Sequence, residues 1–193
     1  MQNMLGKIDI VMGSFSKTFA SNGGFVSCNS PAVKQYLKFY GCSATFSNAL
    51  SPVQAATVAK AFEIVQSGKG RDLRWLLMKR VRQLRTALNS VGFEVMGDPS
   101  AIVPVIAGDE ALGRLASRRF PELGIVANLV EYPAVAKGSA RFRLQVMPNH
   151  TAENVVDVAK SLRVAVDSVQ SEHERHRKRL GDQTPSLRLA VGQ

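Results

Sequence analysis

The sequence predicts a mixed α/β chain in two folded parts with a charged tail. Three observations predict it. From Ile8 to Ser67, short apolar runs alternate with stretches that carry helix-start and helix-stop residues, the pattern of an α/β layer. From Lys69 the texture changes to a long basic amphipathic stretch, then to short apolar runs set between helices, which reads as a compact α+β unit up to about Ser168. From Val169 to Gln193 polar and charged residues take over, and this reads as a frayed helix and a loose tail. The expected boundaries are 1–68, 69–168 and 169–193. No internal repeat is visible.

Each element has its own signal. Ile8-Asp9-Ile10-Val11-Met12 reads as a buried strand. Gly13 to Gly24 follows, rich in small residues and closed by a glycine pair, and reads as a tight turn at a sheet edge. Gly24 to Cys28 reads as a second strand. Ser30-Pro31 opens a helix, with serine as cap and proline in the first turn. Val33, Leu37 and Tyr40 follow at helical spacing, and Gly41 ends it. Ala44 to Asn48 reads as a short connector. Ser51-Pro52 opens another helix, carrying Val53, Ala56, Ala59, Phe62 and Val65, and Ser67-Gly68 closes it.

In the second part, Leu73, Leu76, Leu77, Val81, Leu84 and Leu88 mark the apolar stripe of a long helix. Phe93 to Met96 and Ile102 to Ile106 read as strands. Gly108-Asp109 starts a helix that carries Ala111, Leu112, Leu115 and Ala116. Ile125 to Val130 and Ala140 to Val146 read as further strands. Thr151 caps a last helix in which Val155, Ala159, Leu162, Val166 and Val169 advance by fours and threes.

Composition narrows the function classes. The chain has 193 residues and a hydrophobic fraction of 45%, enough for a real core. No apolar run approaches the roughly 20 residues of a membrane span. The first residues lack the apolar core of a secretory signal, so a cytoplasmic location is expected. Cys28 and Cys42 show no metal or redox spacing. The net charge of +10 raises the question of nucleic acid. It comes partly from the tail, His173 to Arg179, and partly from Arg71, Arg74, Lys79, Arg80, Arg82 and Arg85 on the long helix. Neither cluster is interleaved with aromatics in a reader motif, and both read mainly as solvated helix faces. His173 and His176 lack the carboxylate or cysteine company of a metal site.

The chemistry gathers at Lys17. A strand that ends in small residues, then a lysine, then a glycine pair, can hold a phosphate and an amine together. A lysine joins an aldehyde cofactor as a Schiff base only when neutral, and burial or nearby positive charge favours that form. Ser14, three residues earlier, offers a hydroxyl to a phosphate oxygen. Gly13 would let backbone approach closely, and backbone N–H groups add anion affinity. Taken alone, a lysine in a serine-rich loop is a solvated charge. A P-loop is excluded, because the glycines it needs are replaced by Ser16 and Val11.

The stretch from Ser14 to Gly23 resembles the lysine signature of the pyridoxal-phosphate enzymes, in particular the α-oxoamine synthases. Serine palmitoyltransferase, 8-amino-7-oxononanoate synthase, 2-amino-3-ketobutyrate CoA ligase and 5-aminolevulinate synthase belong to them. Ser14 stands where the family has threonine, and Thr18 where it has a smaller residue. Thr45-Phe46-Ser47-Asn48-Ala49-Leu50-Ser51-Pro52 resembles a family segment that reaches the neighbouring subunit's cofactor phosphate. Tyr132 to Leu144 resembles a third family segment. The likeness runs from about Asp9 to Val166.

The resemblance implies the C-terminal part of a fold-type I large domain followed by a small α+β domain, in a homodimer. It implies pyridoxal 5'-phosphate held at Lys17, with Ser14 and Ser47 as phosphate donors. It implies amino-acid and acyl-CoA substrates, condensed with decarboxylation, and no nucleic acid or integral membrane segment. Arg143 falls where the family places the arginine that clasps the substrate carboxylate, and Arg141 lies two residues earlier on the same strand face. Read without the lysine loop, either is an edge-strand arginine in solvent. His150 resembles a family position just before the last helix and is taken as structural. The family's aspartate for the pyridine nitrogen and its ring-stacking histidine have no counterpart among these residues. The chain therefore reads as a fragment with little turnover alone and with apolar edges exposed. Two alternatives stay open: a class I/II aminotransferase, which shares the lysine and the arginine, and a non-catalytic associated subunit.

Overall fold

The structure is a computed structural model and describes residues 3–4 and 6–180. The described residues fall into two compact units, one running to Arg71 and the other starting at Asp72.

The first unit is an antiparallel ribbon of β1 (Ile10–Ser14) and β2 (Gly24–Cys28), paired from Ile10 opposite Cys28 to Ser14 opposite Gly24. Helices follow it. Helix α1 (Pro31–Tyr40) starts where the Ser30 hydroxyl accepts the Val33 N–H at 3.4 Å. Helix α3 (Pro52–Gln66) starts with a reciprocal cap between Ser51 and Gln54, which satisfies two otherwise orphaned N–H groups.

Two expectations fail here. The first strand is not buried: Ile10, Val11 and Met12 are all exposed. It belongs to a sheet of only two strands, and among the described residues no layer covers Ile10, Val11 and Met12. The connector expected at Ala44 begins as a helical turn, α2 (Cys42–Thr45). The Gly41 carbonyl accepts from both Ala44 and Thr45 N–H, and the Thr45 hydroxyl donates to the Lys38 carbonyl at 3.0 Å.

The long helix α4 (Gly68–Ser90) leads into the second unit. Strands β3 (Ile102–Gly108), β4 (Asn128–Val130) and β5 (Ala140–Gln145) form an antiparallel sheet in the order β3-β5-β4. On β5 burial alternates: Ala140, Phe142 and Leu144 are buried, while Arg141, Arg143 and Gln145 take the other face. The buried face packs with Val81, Leu84 and Leu88 of α4, with Leu112 and Ala116 of α5 (Glu110–Arg119), and with Val155, Leu162 and Val166 of α6 (Ala152–Leu180). Each such side chain stabilises the fold by about 1.5–3 kcal/mol on burial.

Three differences from the sequence reading have local causes. Phe93 to Met96 forms a single bridge, Val95 to Val105, instead of a strand. Met96 N–H donates to the Pro104 carbonyl at 3.2 Å, but Pro104 has no N–H to return the bond. Arg85 instead takes the carbonyl oxygens of Val95, Met96 and Gly97, at 3.4, 3.1 and 2.6 Å. Strand β4 is shorter than expected because Ile125 N–H bonds back to the Phe120 carbonyl at 2.9 Å, after Gly124 turns the chain at φ +70°. Helix α6 does not fray at Val169, which is buried, and continues to Leu180. Residues 181–193 of the expected tail, and the side chains of His173 and His176, lie outside the described residues.

Not all of the basic cluster on α4 is solvated. Arg80 Nε donates to the His150 carbonyl at 2.7 Å, and Arg85 holds the three carbonyls named above. Among the described residues no helix is long and apolar enough to cross a membrane, and no group of side chains could hold a metal ion.

Candidate active site

The lysine loop hangs from the end of β1 and is closed by its own backbone. Phe15 N–H donates to the Gly23 carbonyl, Ser21 N–H to the Phe15 carbonyl and Ala20 N–H to the Lys17 carbonyl, all at 2.9–3.0 Å. The closure places Ala20 at φ +50°, a left-handed conformation a residue with a Cβ rarely adopts.

Aromatic packing anchors it. Phe15 is only 8% exposed, the most buried residue of the loop. It meets Phe19 edge-on at 5.6 Å, stacks on Phe25 of β2 at 5.6 Å and meets Phe62 of α3 at 6.5 Å. Phe19 and Phe62 lie 4.5 Å apart. Each such pair is worth about 0.5–1.5 kcal/mol beyond its burial. With Phe15 held inside, its neighbours Ser14, Ser16 and Lys17 are exposed.

The three exposed residues make a compact donor set. The Ser14 and Ser16 hydroxyl oxygens are 2.7 Å apart, and Ser16 N–H donates to Ser14 Oγ at 3.2 Å. One hydroxyl proton is used between the pair, which leaves the other free for an outside acceptor. The Lys17 amine makes no hydrogen bond or ion pair with the described residues. Lys17 is exposed, and the first unit leaves its amine open to solvent. Lys60 on α3 is a different case. Its amine lies 2.6 Å from Glu63, whose hydrogen bond and charge raise its pKa above the ordinary lysine value.

Gly13 has a packing reason of its own. A Cβ there would lie 2.4 Å from Phe25 Cε1, so the glycine makes room for the ring on the neighbouring strand. Ser16 is not among the residues expected at the site, and the signal for it is a hydroxyl two places from that of Ser14. Ser21, which the sequence does not mark out, has its Oγ buried without a partner among the described residues.

The second segment adjoins the loop: a Cβ on Gly23 would lie 3.3 Å from Leu50 Cδ1. Ser47 is exposed, and its hydroxyl donates to the Ser43 carbonyl, leaving its oxygen able to accept but its proton committed.

In the second unit Arg143 stands on β5, the central strand, opposite Pro104 of β3 and Asn128 of β4. It is therefore not the edge-strand residue of the solvent reading. It is half-buried, and its guanidinium makes no hydrogen bond or ion pair with the described residues. Arg141, on the same face, is held: Nε donates to the Ser139 carbonyl at 3.1 Å, and Nη1 lies 3.5 Å from Met96 Sδ. His150 accepts Met147 N–H on Nδ1 at 3.3 Å, just ahead of the α6 cap formed by Thr151 and Asn154.

The sequence model of the family described as aminotransferase class I and II matches residues 2–162. The chain belongs to that family. It is 31% identical over 153 residues to the 2-amino-3-ketobutyrate coenzyme A ligase of Escherichia coli strain K12, covering 79% of this chain and 38% of that protein. It is 34% identical over 150 residues to the 8-amino-7-oxononanoate synthase of Trichlorobacter lovleyi, covering 78% of this chain and 38% of the relative. Among solved structures, a serine palmitoyltransferase with its pyridoxal-phosphate internal aldimine superposes with a TM-score of 0.78 at 26% identity, over 87% of this chain and 42% of that one. The fold is thus that of the fold-type I pyridoxal-phosphate enzymes. The chain spans 38% of the length of the two curated relatives.

Proposed function

We propose that this chain carries the lysine loop and the small C-terminal domain of an α-oxoamine synthase, which condenses an amino acid with an acyl-CoA and releases carbon dioxide. The observation that carries the reading is the loop at the end of β1: two hydroxyls 2.7 Å apart beside an uncommitted lysine amine. That donor set fits pyridoxal 5'-phosphate, which needs hydroxyl donors for its phosphate and an amine for its aldehyde. The bound cofactor supplies the electron sink at the substrate's α-carbon.

The chain's residues then divide the remaining work. Lys17 anchors the cofactor and, once released, takes and returns a proton at the α-carbon. Ser14 donates to the phosphate, its oxygen accepting the Ser16 hydroxyl proton. Ser47 belongs to the segment offered to a second subunit's phosphate. Its proton must turn away from the Ser43 carbonyl to donate there, which a rotation of the hydroxyl supplies. Arg143 clasps the substrate carboxylate through two parallel hydrogen bonds and so fixes which bond of the α-carbon faces the cofactor. Its free guanidinium supports this choice over Arg141.

In this reading residues 1–68 belong to the large domain, 69–168 to the small domain and 169–193 to the tail, in a cytoplasmic homodimer. The 193-residue chain alone turns over little or nothing, because a two-stranded ribbon leaves Lys17 in water.

The test has two parts. The chain is incubated with pyridoxal phosphate, reduced with borohydride and peptide-mapped, with the label expected on Lys17. A chimera with the N-terminal part of the Escherichia coli ligase is then assayed for free CoA release with amino acids and acyl-CoA. A label that avoids Lys17 rejects the cofactor assignment. Amino-group transfer without any need for acyl-CoA points to an aminotransferase instead.

A further inference from the structure

The second unit contains a cavity of about 450 Å³ that the lysine loop and Arg143 do not use. Its size falls within the range of small-molecule sites, roughly 300–1,000 Å³. The floor is buried and apolar, made by Leu84 of α4, Ile125, Leu144 of β5 and Val155 of α6. The rim is also apolar and open to water: Val126 is 98% exposed and Met147 54%.

Its polar groups are neutral except for one carboxylate, that of Asp157. Asn154, Asp157 and Ser161 lie three and four residues apart on one face of α6, and Gln145 and His150 complete the lining. No lysine or arginine lines the cavity, in a chain of net charge +10. Arg80 lies close by, but it is committed to the His150 carbonyl and to Gln83. Asn154 Oδ1 is taken by Thr151 N–H, so the Asp157 carboxylate is the strongest open acceptor. His150 Nδ1 accepts Met147 N–H, which leaves its other nitrogen as a donor.

We propose that this cavity binds a primary amine with an alkyl chain, the chain on the Leu84–Ile125–Leu144–Val155 floor and the ammonium at Asp157. An anionic ligand such as a fatty acid or an acyl-CoA would meet a carboxylate with no cation to offset it. The product of the condensation proposed above carries an ammonium beside an acyl-derived chain. The cavity would therefore answer to product; that clause rests on the proposed function, whereas amine binding does not.

The experiment titrates the 193-residue chain, without cofactor, with n-octylamine, sodium octanoate and 1-octanol below their aggregation limits. Binding is followed by calorimetry and by the methyl resonances of Val126 and Met147. Octylamine is expected to bind saturably and at least about fivefold more tightly than octanoate. Asp157→Asn, an exposed change, is expected to weaken octylamine roughly threefold to fivefold and to leave octanol unchanged. Ser161→Trp, which fills the cavity, is expected to remove both. Octanoate binding as tightly as octylamine, an unchanged octylamine affinity in Asp157→Asn, or no octylamine binding at all would overturn the proposal. Because no cofactor is present, none of these outcomes depends on Lys17.

Discussion

The ring of Phe25 occupies the space a side chain on Gly13 would need, with a Cβ there 2.4 Å from Phe25 Cε1. The same ring stacks on Phe15, the anchor of the lysine loop. Gly13→Ala is therefore expected to push the ring off Phe15 and destabilise the ribbon by about 1–3 kcal/mol, the usual range for overpacking. Hydrogen exchange over residues 10–28 should speed up, and Phe25→Leu in the same chain should reverse most of the effect. Unchanged protection in Gly13→Ala would show that the ring does not hold the loop.

Lys17→Arg keeps the charge but cannot join an aldehyde. It is expected to abolish the borohydride-fixed pyridoxyl label, while Lys60→Arg leaves the label in place. Mass spectrometry of tryptic peptides reads both. Equal labelling of the wild type and Lys17→Arg would remove Lys17 from the cofactor site.

Arg143 and Arg141 share a strand face but differ in commitment, and their substitutions should separate. In the chimera with the ligase's N-terminal part, Arg143→Lys is expected to raise the amino-acid KM by roughly ten- to hundredfold, the loss of a charge-assisted bond. Arg141→Lys is expected to change it by less than about threefold. A larger effect at Arg141 would reassign the carboxylate clasp.

Phe142 is fully buried on the central strand, with its ring 5.0 Å from that of Phe120. Phe142→Ala is expected to cost about 3–5 kcal/mol in urea unfolding. Gln145→Ala, on the exposed side of the same strand, should stay within about 0.5 kcal/mol. A mild effect at Phe142 would mean that the second unit is not organised around this sheet face.

Much of this architecture was legible in the residues. Ser30-Pro31 and Ser51-Pro52 located two helix starts because capping and proline chemistry are local. The alternation from Ala140 to Gln145 located β5 because one face of that strand is buried. What escaped was set by partners distant in sequence. Periodicity could not show that Ile10 to Met12 would lack a covering layer. Nor could it show that Pro104 and Arg85 would divert Phe93 to Met96 from the sheet. In the candidate site, Lys17 and Ser14 stood out through their spacing. The role of Gly13 depends on Phe25, a residue on another strand. The contrast between a held Arg141 and a free Arg143 depends on Met96 and the Ser139 carbonyl, which no spacing rule reveals.

Arg80 and Arg85 distinguish this chain from a simple polycation. Their guanidiniums close off carbonyl groups of the chain itself, so a polyphosphate could recruit them only by tearing those contacts open. Counting basic residues thus overstates what a DNA backbone would find. Rising ionic strength should strip bound polyanions from Lys79 and Arg82 well before it disturbs the corner that Arg85 ties together.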